Sequence, residues 1–60
     1  MTKNEIKKKM SILYEIAGEI YRASSTRKDI EEEMLKASGK IEKSAEILES
    51  VFHYLEWIEK

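Results

Sequence analysis

IEEEMLKASGKIEKSAEILESVFHYLEWI, residues 30–58, is the stretch whose reading decides the fold. Taken as helix, it carries Ile30, Met34, Ala37, Ile41, Ser44, Leu48, Val51, Leu55 and Ile58 at alternating spacings of four and three. This is the heptad pattern of a helix that packs along a seam. Upstream, Ile6, Met10, Leu13, Ala17, Ile20 and Ser24 repeat the same spacing. The spacing predicts a first helix over about 4–24, a turn over about 25–28 and a second helix over about 28–59. Together they make one all-α domain over residues 1–60.

Between the two periodic segments, Ser24, Ser25, Thr26, Arg27, Lys28 and Asp29 are a cluster of polar, weakly helix-forming residues where the chain can reverse. Thr26 and Asp29, three residues apart, have the spacing of a capping box for the second helix. Thr2 or Asn4 suits the N-cap of the first, with Glu5 near its positive end. Folded back on itself, the chain pairs Ile6 with Leu48, Met10 with Ser44, Leu13 with Ile41, Ala17 with Ala37, Ile20 with Met34 and Ser24 with Ile30. Every seam position then finds a seam position. Lys3, Lys7, Lys8 and Lys9 fall alongside Glu42, Glu46 and Glu49, a charge order that favours the antiparallel arrangement. The alternative is a three-helix bundle with a break at Ser38-Gly39, since a Ser-Gly pair can cap or kink a helix. The unbroken phase of the heptads through Gly39 favours one continuous helix.

With 60 residues, no cysteine and one histidine, the chain has neither disulfides nor the usual ligand sets for zinc or catalytic triads. A domain this short buries only about 60% of the surface of its unfolded chain, so association is the expected route to stability. Unequal helices leave Val51, Phe52, His53, Tyr54, Leu55, Glu56, Trp57 and Ile58 overhanging. Ile12, Ile16 and Ile47 widen the apolar arcs beyond what one neighbour can cover. These features predict an antiparallel helical hairpin that homodimerises into a four-helix bundle. The dimer or partner interface is expected at Ile12, Ile16, Ile47, Val51, Phe52, Tyr54, Leu55, Trp57 and Ile58, with another protein as a further partner.

Enzymatic motifs are missing: there is no nucleophile elbow, phosphate loop or zinc spacing. No cofactor is expected. His53 reads as a surface histidine, and Glu31, Glu32 and Glu33 diverge around their helix as a solvated face. Eleven basic against twelve acidic residues give a net charge of -1, which makes nucleic acid the less favoured partner. No apolar run spans a bilayer and no secretory leader is evident, so a cytoplasmic, membrane-free location is expected.

In outline the hairpin is similar to the plasmid copy-number RNA-binding hairpins, and the opening Met1-Thr2-Lys3-Asn4-Glu5 is similar to theirs. That resemblance implies RNA contacts from aromatic and polar residues outside the first helix, where Tyr14 stands here. Met10 and Gly18 flank it in place of amide or basic side chains, and the heptads differ in phase. The primary expectation is therefore a non-enzymatic homodimeric regulator or adaptor that holds a partner through the aromatic end of helix two. The alternative is a small plasmid- or virus-type nucleic-acid-binding bundle using Lys3, Lys7, Lys8 and Lys9.

Overall fold

The computed structural model describes residues 1–59; Lys60, the last residue of the expected domain, lies outside the described residues. Two helices, α1 (Lys3–Ser24) and α2 (Glu31–Ile58), pack against each other as an antiparallel hairpin measuring 49 × 14 × 13 Å. α1 begins with a capping box: the Glu5 backbone N–H donates to Thr2 Oγ1 at 3.2 Å, and the Thr2 N–H donates to the Glu5 carboxylate at 3.2 Å. Two of the orphan donors at the helix start are thus satisfied reciprocally. The same bonds hold the Glu5 carboxyl below the ordinary glutamate range, the backbone N–H of Thr2 contributing most. Because the folded value is the lower one, this cap is fully formed above the unfolded glutamate's titration. It is lost as pH falls through the depressed folded value. Acid titration followed by amide exchange at residues 3–6 should show their protection disappearing before that of residues 13–20, and Glu5→Gln should remove the pH dependence of that early loss.

α1 ends because three hydroxyls in succession turn back on it. Ser24 Oγ donates to the Tyr21 carbonyl at 2.6 Å, Ser25 Oγ to Arg22 at 2.9 Å and Thr26 Oγ1 to Ala23 at 2.8 Å. The hydroxyls thus bond the carbonyls of the last turn, where Ala23 also accepts the Thr26 N–H at 3.0 Å, and they compete with continuation of the helix. The reversal occupies residues 25–30 rather than 25–28, so α2 starts later than its periodicity suggested. The expected Thr26–Asp29 capping box is not formed, since Thr26 is engaged backwards and Asp29 forms a bidentate pair with Arg27 at 3.0 and 3.2 Å. That guanidinium holds the Asp29 carboxyl below its usual value. Ile30 takes the N-cap position with no side-chain hydrogen bond, and Glu31, Glu32 and Glu33 sit in the first turn, where the helix dipole favours negative charge.

α2 then runs without interruption through Ser38 and Gly39, which sets aside the three-helix alternative. A Cβ built on Gly39 would meet nothing within 4 Å, so the glycine is neither a hinge nor a close-approach point.

The seam of α1 is the expected one: Ile6, Ala17 and Ser24 are buried, and Met10, Leu13 and Ile20 are half-buried. The seam of α2 is rotated. Met34, Ile41, Leu48 and Leu55 are half-buried as expected, but the second row is Ser38, Ala45 and Phe52 in place of Ala37, Ser44 and Val51. Ser38 Oγ donates to the Ala17 carbonyl at 2.8 Å, and Ala45 is fully buried at 0% exposure. Small side chains at Ala17, Ser38 and Ala45 let the two backbones approach, and the cross-helix bond satisfies the Ser38 hydroxyl that this approach encloses. The lysine–glutamate register is a second correction. Among the described residues, none of Lys3, Lys7, Lys8 and Lys9 has a carboxylate within 4.0 Å. Orientation is fixed by the short turn and the apolar seam rather than by those charges.

Candidate interaction surface

At roughly 100° per residue, each helix has a flank on either side of its seam. Tyr14 stands on one flank of α1 and Glu49 on one flank of α2, and they touch: Tyr14 Oη donates to Glu49 Oε2 at 3.1 Å. These two flanks therefore share one face of the hairpin. Along it lie Gly18, Tyr21 and Glu42, which with Ala17, Arg22 and Ser38 line a shallow open groove. Partial burial, then the adjacent Glu49 carboxylate, pushes the Tyr14 phenol above its ordinary value.

Because the helices are antiparallel, the two remaining flanks make the opposite face. It gathers Ile12 and Ile16 from α1 with Ile30, Ala37, Ser44, Ile47, Val51, Tyr54 and Ile58 from α2. The large side chains here are exposed: Ile47 by 57% and Tyr54 by 59%, with Ile12, Ile16, Ile30, Val51 and Ile58 at 38% or more. Lys9, Lys40, Glu5, Glu19 and Glu33 edge the apolar area. An apolar area with a polar rim is the anatomy of a protein interface rather than of a solvated surface.

Of the nine residues expected at an interface, Ile12, Ile16, Ile47, Val51, Tyr54 and Ile58 stand on this face. Phe52 and Leu55 do not: both are half-buried, Phe52 at the end of the seam and Leu55 on the same side of α2 just beyond it. Ala17 lies level with Ser38, so Phe52 lies level with Lys3 and only the segment after it extends beyond α1. The overhang is therefore shorter than the eight residues expected from sequence. Trp57 points almost directly away from the seam, is 69% exposed, and pairs with Tyr54 at a ring-centroid distance of 6.4 Å.

Comparison with family models, curated proteins and solved structures finds no match to this chain.

The lysines do not form one cationic face. Lys3 is half-buried at the end of the seam, while Lys7 and Lys8 join Asn4, Ser11 and Ile12 along an open groove on the outer side of α1, and Lys9 borders the apolar face. His53 sits between Glu49, 3.7 Å from Nε2, and Glu56, 3.3 Å from Nδ1. The i,i+3 spacing of His53 and Glu56 was available in the sequence and identifies the closer partner. With Tyr14 these groups form an exposed polar chain linking α1 to the end of α2. Among the described residues no group of three or more His, Asp and Glu side chains converges as a metal site, and no helix is long and apolar enough to cross a membrane.

Proposed function

We propose that this chain is a small non-enzymatic protein–protein interaction module, a homodimeric helical regulator or adaptor. Its apolar face associates with another helical surface, and the Tyr54–Trp57 end of α2 holds a partner protein. The observation that carries this reading is the gathering of Ile12, Ile16, Ile47, Val51, Tyr54 and Ile58 on one side of a hairpin whose seam encloses so little. Ile6, Ala17 and Ala45 are its only buried apolar residues among those described. A core of that size contributes little free energy against the ordering of the chain, and covering the exposed isoleucines supplies the difference.

Sedimentation equilibrium tests the reading. The unmodified chain is expected to associate in a concentration-dependent manner, and Ile47→Asp is expected to weaken association by about 100-fold or more, the loss typical of a charge placed in the centre of an apolar interface. Association unaffected by Ile47→Asp, with helicity intact, would remove this face from the interaction.

A second reading, nucleic-acid binding, draws support from Lys3, Lys7, Lys8 and Lys9, which lack carboxylates within 4.0 Å and so keep their charge available. Binding of a duplex or hairpin RNA that collapses between about 50 and 200 mM salt would support it.

A further inference from the structure

We infer that the occupant of the apolar face is a second copy of this chain, placed with its turn at the opposite end and with the two-fold axis passing close to Ser44. This rests on the association reading above and specifies its partner and geometry.

The amount of surface available comes first. A monomer of 7.1 kDa is expected to expose about 4,100 Å² from the scaling of surface with mass, whereas this hairpin exposes 4754 Å². The excess follows from the elongated 49 × 14 × 13 Å shape, and one 49 × 14 Å side of it is of the same order as the roughly 800 Å² that each partner contributes to a stable interface. One face of a hairpin can supply that area.

Sequence symmetry then selects the orientation. On the apolar face, the α2 row nearest the seam reads Ile30, Ala37, Ser44, Val51, Ile58, at a strict spacing of seven and centred on Ser44. Laid antiparallel against itself about Ser44, it sets Ile30 against Ile58 of the second copy, Ala37 against Val51, and Ser44 against Ser44. Branched side chains at the ends meet each other, a small one meets a branched one between them, and two small serines meet at the axis, where the backbones come closest. The flanking row agrees: Lys40 lays its aliphatic stem along Ile47 of the second copy, and Ile12 of α1 falls within a turn of its own counterpart.

The same placement covers what the hairpin leaves bare at both ends. Ile30 caps α2 with no side-chain partner and is 40% exposed, while Ile58 lies on the overhang beyond α1. Each lies about 21 Å from Ser44, fourteen residues away at 1.5 Å per residue, so one copy's overhang reaches the other copy's turn. With turns at the same end, Ile30 and Ile58 of the two copies would instead sit at opposite ends of the assembly.

Cysteine cross-linking with sedimentation tests this cleanly, because the chain has no cysteine of its own. Ser44→Cys is expected to oxidise to a disulfide-linked dimer of unchanged helicity, since residues facing across a two-fold axis come within the Cα separation of about 4.4–6.8 Å that a disulfide needs. The double variant Ile30→Cys with Ile58→Cys is expected to link copies as well. Its cysteines stand at opposite ends of one helix, so any bond between them joins two chains. A dimer that forms while neither variant cross-links would overturn the orientation and leave the apolar-face reading intact. A folded monomer at about 100 µM, or an assembly larger than two, would overturn the second copy on a two-fold axis. The monomer would leave the face to a different protein.

Discussion

An Ala45→Asp variant is expected to be largely unfolded, with the far-UV helical signal reduced and no cooperative melting transition. Ala45 has no exposed surface and lies on the α2 row that faces α1, so a carboxylate there is enclosed between the two helices. Aspartate is too short to reach water from that position. The effective penalty for an enclosed unpaired charge is several kcal/mol. A 60-residue domain has roughly 3–9 kcal/mol of net stability in all, so the penalty is comparable with the whole of it. Ser50→Asp is the control: it puts the same carboxylate at an exposed position away from the seam and should shift stability by no more than about 0.5 kcal/mol, while the helix-propensity part of Ala45→Asp is itself at most about 0.7 kcal/mol. The comparison tests the rotation of α2 directly. Were Ser44 in the seam and Ala45 on the flank, both variants would melt alike.

That rotation marks the boundary of what the sequence discloses. α1 was legible because its apolar positions offer one row on each side of a single seam. The row Met34, Ile41, Leu48 and Leu55 of α2 was legible for the same reason. The other half of the α2 seam was ambiguous: Ala37, Ser44, Val51 lie on one side of that row and Ser38, Ala45, Phe52 on the other, both at heptad spacing. Hydrophobicity favours the first, with Val51 continued by Ile30 and Ile58. Packing selects the second, because a close pair of helices wants small residues at mid-length and Ser38 has a carbonyl to bond at Ala17. The greasier row is left outside, and the candidate surface is the consequence of that choice. The turn was misjudged for a related reason. Thr26 and Asp29 have the spacing of a cap, but their side chains had nearer partners in Ala23 and Arg27, and spacing alone does not rank such competitors.

Phe52→Ala and Trp57→Ala should separate two roles that their proximity in sequence merges. Phe52 is half-buried in the seam, level with Lys3, so truncating it removes apolar surface from the hairpin and leaves a gap where the end of α1 meets α2. Complete burial of phenylalanine would make this cost about 3–5 kcal/mol, and partial burial puts the expectation near 2 kcal/mol, visible as a clear fall in the denaturant midpoint. Trp57 is 69% exposed and points away from both the seam and the apolar face, so its removal should leave the melting curve and the sedimenting mass unchanged. As the sole tryptophan it also reports its own surroundings. Its emission should be that of a water-exposed indole, quenched freely by iodide in the associated state. A partner held by the end of α2 would shift that emission to the blue, and its affinity would fall in Trp57→Ala while the hairpin stays intact. If Trp57→Ala instead lowers stability as much as Phe52→Ala, the end of α2 is folded back against the molecule. No aromatic surface would then remain there for a partner to hold.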